Sequence, residues 1–164
     1  MDQIEERYPF HRAFNIEGGN FTHAGSISSQ VKRILKEEGL PSDVIRRMSI
    51  ATFEAEMNVI CYARWGILTL LVTSDFLKVV VDDEGVGIQD VDLAMKEGFS
   101  TADERIRELG FGAGMGLSNI KKVTDEMVLT SVVNEGTHLE FTIHLNPVEN
   151  FNEVSTPAMG RMSG

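Results

Sequence analysis

One cysteine, Cys61, stands alone in 164 residues. No disulfide can form within the chain, and no zinc site can be built from cysteines. Basic charge is also scarce: 15 Lys and Arg face 25 Asp and Glu, for a net charge of −10. That argues against non-specific nucleic-acid binding and against an anionic membrane surface, since both need a positive field. No apolar run approaches the roughly 18 residues a membrane helix requires. The stretch Met1-Asp2-Gln3-Ile4-Glu5-Glu6 is acidic, unlike a signal peptide, so the expected location is cytoplasmic. The four histidines lack metal-ligand spacing; His138 and His144 share a strand face but lie too far apart to chelate one ion. Three familiar nucleotide signatures are missing. There is no Gly-x-x-x-x-Gly-Lys-[Ser/Thr] and no Gly-x-Gly-x-x-Gly, because Met115 and Leu117 stand where the third glycine belongs. Protein-kinase lysine and catalytic-loop motifs are missing too.

What is present fits about one globular domain, large enough to bury roughly two-thirds of its extended surface. Residues Tyr8 to Ile16 read as a strand stopped by Gly18-Gly19-Asn20. Thr22 is placed to cap a helix running to about Glu38, with Ile27, Val31, Ile34 and Leu35 on one face. Gly39 ends it, and Pro41-Ser42-Asp43 starts a second helix with Val44, Met48, Ala51, Ala55 and Val59 aligned. Gly66 breaks that pattern before strands at Ile67–Val72 and Phe76–Val81. Asp90 caps a short helix over Val91–Lys96. Gly98–Leu109, polar and without apolar period, reads as a lid. A helix from Gly116 to about Glu126 follows, then a hairpin of Met127–Val133 and Thr137–Leu145. The order implies an α+β two-layer sandwich, with a mixed, antiparallel-rich sheet covered on one face by helices. Residues 1–145 form a single domain in this reading, and 146–164 a flexible tail.

The chemistry concentrates between Lys78 and Leu117. A valine-rich strand ends in Asp83, Gly85 and Gly87, where backbone can approach a ligand closely. An acid has no packing reason to follow such a strand. Asp83 is able to accept the exocyclic amine of adenine, and a solvated turn acid is the plain alternative. Gly110, Gly112, Gly114 and Gly116 then launch an apolar-periodic helix at Leu117. A glycine loop at a helix N-terminus offers free N–H groups and a favourable dipole to phosphate; the alternative is a flexible linker. Upstream, Glu54 and Asn58 lie four apart on a mostly buried helix. Inward-facing oxygens there suit a magnesium ion that also binds phosphate. Otherwise Glu54 faces solvent and Asn58 caps a loop. Gly136-Thr137 is, by itself, the turn of the last hairpin.

Glu54-x-x-x-Asn58, Asp83-x-Gly85-x-Gly87, Gly112-x-Gly114-x-Gly116-Leu117 and Gly136-Thr137, in that order, resemble the GHKL ATPase superfamily. The small size and the helix–helix–strand lead-in are most similar to its anti-sigma factor serine/threonine kinases, over roughly Ile27 to Leu145. The resemblance implies a Bergerat, histidine-kinase-like fold binding ATP and Mg2+ beneath a mobile lid. Asn58 would hold the metal and Glu54 would be the general base. Asp83 would take the adenine amine, supported by Thr137. Gly112, Gly114, Gly116 and Leu117 would wrap the phosphates. It further implies a serine or threonine on a STAS-type anti-anti-sigma protein as substrate and a sigma factor as a second partner. No nucleic acid and no membrane is engaged, and a homodimer is allowed. Two positions depart from the pattern: Tyr62 replaces a histidine found in some members, and Gly112-Ala113 replace an arginine, for which Arg105 or Arg107 would have to substitute. The second reading is therefore a non-catalytic switch whose partner binding depends on nucleotide. A detached histidine-kinase catalytic domain would need a phosphoacceptor histidine, and neither His11 nor His23 lies in a long apolar heptad.

Overall fold

A computed structural model describes residues 10–110, 112 and 114–145. The expected tail 146–164 and the start of the first strand, at Tyr8, lie outside the described residues. Five strands, β1 (Phe10–Glu17), β2 (Ala63–Val72), β3 (Phe76–Gly85), β4 (Glu126–Val132) and β5 (Gly136–His144), form one sheet in the order β1-β2-β3-β5-β4. Every described pairing is antiparallel. Helices α1 (Ser26–Glu37), α2 (Ser42–Tyr62) and α5 (Gly116–Val123) cover one face; α3 (Val91–Ala94) and α4 (Glu104–Glu108) are short segments between β3 and α5. This is the α+β two-layer sandwich, and the sheet is antiparallel throughout these pairs rather than mixed.

The core lies between the layers. Val31, Leu35, Met48 and Ala51 from the helices meet Leu68, Leu70, Val79, Phe141 and Ile143 from the strands, all fully buried. Each buried Leu or Ile adds about 1.5–3 kcal/mol over its exposed state. Period-2 alternation sets the register: Leu139, Phe141 and Ile143 point to the helices, while Asp82 and His138 share a cross-strand position on the open face. Helix α2, 21 residues and about 30 Å long, packs on β1, β2 and β3 and against both α1 and α5.

Three of the differences from the sequence expectation have a tertiary reason. Thr22 sits in a short 3-10 turn, Phe21–His23, and α1 begins at Ser26 behind Gly25, which has φ 88° and no side chain with which to cap. The cap comes from another helix. Glu56 of α2, 1% exposed, accepts from the N–H groups of Gly25 (3.1 Å), Ile27 (3.2 Å) and Ser28 (3.1 Å). Gly66 does not break the pattern; it lies inside β2 opposite Asp83, where a Cβ would press on Val59 and Asp82. The last shift concerns α5, which stops at Val123, short of Glu126. There the Arg47 guanidinium takes the Val123 carbonyl (2.8 Å) and pairs with Asp125 (2.8 Å).

Candidate nucleotide site

One cleft of about 1220 Å³ opens between α2, the ends of β3 and β5, the 86–101 segment and the glycine loop. Nine of the ten site residues expected from sequence line it: Glu54, Asn58, Asp83, Gly87, Gly112, Gly114, Gly116, Leu117 and Thr137. Gly85 does not. A Cβ there would meet Tyr62 O at 2.8 Å and Ala63 Cα at 2.9 Å, so this glycine lets β3 pass the α2–β2 junction.

At one end, Glu54 and Asn58 project from adjacent turns of α2 toward the start of α5. A Cβ on Gly116 would stand 3.1 Å from Glu54 Oε2 and 3.4 Å from Asn58 Oδ1, so the glycine keeps open the space those oxygens face. The other Glu54 oxygen, Oε1, accepts from Asn119 Nδ2 at 3.1 Å. Sequence reading missed Asn119, whose partner stands 65 positions upstream and leaves no mark beside it in the chain. Gly114, at φ 75°, is wedged against the lid. A Cβ would lie 2.4 Å from Phe99 O, and Gly98 N–H donates to Gly114 O (3.0 Å). Ala102 and Ile106, both buried, press on Gly112 in the same way. The stretch Gly98–Leu109, without apolar period and expected from sequence to be a loop acting as a lid or a disordered stretch, thus carries α4, capped by Asp103 accepting from Ile106 N–H (3.0 Å), and is keyed onto the glycine loop.

At the other end, the half-buried Asp83 carboxylate accepts Thr137 N–H on Oδ1 (3.1 Å). Burial pushes its pKa above the ordinary aspartate value; the Thr137 N–H pulls the other way, and the neighbouring Asp82 charge adds to the rise. Ser131 Oγ lies 2.9 Å from Thr137 Oγ1, accepts from Ile88 N–H (2.8 Å) and donates to Gly136 O (2.9 Å). Tyr62, in the departed histidine position, lines the cleft with its hydroxyl 3.3 Å from Ser100 Oγ in the lid. Cys61 also lines it, but burial, then the Asp103 charge, pushes the thiol up to about 11, which leaves it protonated and unreactive.

Glu54, Asp83, Asp90 and Asp92 line the cleft, and among the described lining residues there is no Lys or Arg. A polyphosphate entering it would meet carboxylates rather than cationic side chains among the described lining residues. The oxygens of Asn58 and Glu54, converging on the empty Gly116 position, fit a hard divalent cation that takes few protein ligands and shares phosphate oxygens. Among the described residues no group of three His, Cys, Asp or Glu side chains forms a metal cage.

A helix-backed antiparallel sheet with a glycine loop at the start of α5, and with acid and amide on α2, defines the histidine-kinase-like ATPase class. The chain belongs to that family: the histidine kinase-like ATPase domain model matches residues 20–143. It is similar to the serine/threonine-protein kinase RsbT of Bacillus subtilis (strain 168), 32% identical over 113 residues, covering 66% of this chain and 79% of that protein. It is also similar to the anti-sigma F factor of Caldanaerobacter subterraneus, 32% identical over 106 residues, covering 62% of this chain and 71% of that protein. A chain in the crystal structure of the SiaB–SiaC complex from Pseudomonas aeruginosa shares the fold, with a TM-score of 0.57 at 14% identity over 80% of this chain and 88% of that one. Among the described residues no helix is long and apolar enough to cross a membrane.

Proposed function

We propose that this chain is an ATP-dependent serine/threonine kinase whose substrate is a small STAS-type regulatory protein, within a partner-switching system that controls a sigma factor. The observation that carries the reading is the convergence of four separate stretches, through Glu54, Asn58, Asp83, Gly114, Gly116 and Thr137, on one cleft. The similarity to RsbT supports the kinase chemistry, and the similarity to anti-sigma F factors supports the kind of partner.

Asp83 and Thr137 hold the adenine edge, while the backbone N–H groups of the loop from Gly112 to Leu117 grip the phosphates. Asn58, with Glu54 beside it, would hold Mg2+, which when bound neutralises phosphate charge. Glu54 takes the proton of the attacking hydroxyl as its oxygen bonds to the γ-phosphorus. The bond to the bridging oxygen breaks, and its electrons leave with ADP. Asn119 keeps one carboxylate oxygen occupied so that the other faces the reacting centre.

The test is incubation with labelled ATP, Mg2+ and a panel of STAS-domain proteins from the same genome, beside Glu54→Gln. Label should reach a serine or threonine of one partner, and the variant should transfer about 10²–10⁴-fold more slowly. The replacement of a family histidine by Tyr62 favours one second reading, a nucleotide-dependent binding switch. It prevails if the complex depends on nucleotide while no label moves.

A further inference from the structure

Ser131 lies outside the cleft lining, yet it touches the group that meets the base. A serine hydroxyl has one proton to donate and two lone pairs to receive. Around Ser131 Oγ stand three partners: the Ile88 N–H, which can only donate; the Gly136 carbonyl, which can only accept; and the Thr137 hydroxyl, which can do either. Only one arrangement satisfies all three. Ser131 donates to Gly136 O and accepts from Ile88 N–H, so Thr137 must donate its own proton to Ser131. The reverse arrangement would leave the Ser131 and Gly136 oxygens 2.9 Å apart with no proton between them. With that proton committed away from the cleft, Thr137 Oγ1 retains only lone pairs for a ligand. Asp83 has one oxygen occupied by Thr137 N–H and likewise offers acceptors.

We infer that Ser131 is a specificity-determining residue: by fixing the direction of the Thr137 hydroxyl it makes the base end of the cleft a paired acceptor, selective for 6-amino purines against 6-oxo purines. The inference rests on reading Asp83 and Thr137 as the base end of a nucleotide site. An exocyclic amine donates to such a pair. A 6-oxo group brings a third acceptor against it, and a site built to bond a donor rejects analogues that lack one. Ser131 does not touch the ligand; it acts through Thr137.

The experiment is equilibrium binding of Mg-ATP and Mg-ITP to the whole chain and to Ser131→Ala, Thr137→Val and the double variant, with thermal melts as a folding control. The chain should prefer ATP. Ser131→Ala releases the Thr137 proton, so affinity for ITP should rise and the ATP-to-ITP ratio should fall about tenfold, while the lost Ile88 bond affects both nucleotides alike and cancels. Thr137→Val should lower the ratio differently, by loss of ATP affinity, and the double variant should match Thr137→Val. If the chain prefers ATP and Ser131→Ala keeps the same ratio, this inference falls while the nucleotide site stands. Equal binding of ATP and ITP by the unmodified chain overturns it as well. If Mg-ATP does not bind at all, the site reading fails and takes this inference with it. Should Ser131→Ala not fold, Thr137→Val decides: an unchanged ratio there also overturns the proposal.

Discussion

Asp83 holds its proton more readily than an ordinary aspartate, chiefly because it is half-buried at the end of β3 with Asp82 beside it. Two consequences follow from the sign. In binding, the acceptor is lost on protonation, so ATP affinity should weaken as pH falls, beginning above the ordinary aspartate value of about 3.9. Asp83→Asn should weaken binding by about 1–3 kcal/mol at neutral pH and flatten that dependence, read by titration calorimetry across the pH range. In stability, a folded-state pKa above the unfolded one gives a contribution fully present below the unfolded value and lost as pH rises through the folded value. The ionised Asp83 therefore costs stability at pH 7, and ligand-free Asp83→Asn should melt no lower than the parent there. The sequence already pointed to Glu54, Asn58, Asp83 and the cleft glycines other than Gly85, because such residue types are conspicuous after valines or within a buried helix. Asn119 and Ser131 were not legible, since an isolated Asn or Ser on an element has no signal until a partner from elsewhere stands beside it.

At the scale of elements, the start of α1 depends on α2. Glu56→Ala would leave three N–H groups at the α1 N-terminus without an acceptor and should cost about 2–4 kcal/mol in urea unfolding, with Glu56→Gln in between. Helical spacing predicted the apolar face of α1 correctly. It misplaced the N-terminus because the capping oxygen comes from a residue about 30 positions away. On the open face of the sheet, His138 bridges Asp82 on β3 and Glu140 on its own strand, and Lys78 stands beyond Glu140. The Asp82 hydrogen bond raises the His138 pKa; partial burial opposes this, and Glu140 adds to the rise. A raised histidine contributes stability below its unfolded value of about 6.5 and loses it as pH rises through the folded value. The destabilisation by His138→Gln should therefore be larger at pH 6 than at pH 9. It should be small at both, because Asp82 is exposed and Glu140 only partly buried, so solvent screens the pairs.

For the molecule as a whole, the cleft lining combines four carboxylates with no described Lys or Arg, and the proposed triphosphate ligand is expected to enter with a divalent ion. Chelating Mg2+ should weaken ATP binding at least tenfold, and nucleoside should lose far less; comparing ATP with adenosine, with and without chelator, checks this. Saturating Mg-ATP at about 100 times its Kd should stabilise the fold by about 2.7 kcal/mol. In hydrogen exchange the protection should concentrate in residues 98–109, which rest on Gly112 and Gly114, rather than in the central strands.

By itself the sequence determined the layer architecture and the position of the glycine loop, because period-2 and period-3.6 apolar patterns and clustered glycines are local features that need no partner to be read. Only the tertiary structure decided which side chains speak to one another across those elements: Glu56 to α1, Asn119 to Glu54, Ser131 to Thr137, and Gly85 to the α2–β2 junction instead of the cleft. Hydrogen bonds and close approaches are made in space, between residues whose separation along the chain carries no mark of their meeting.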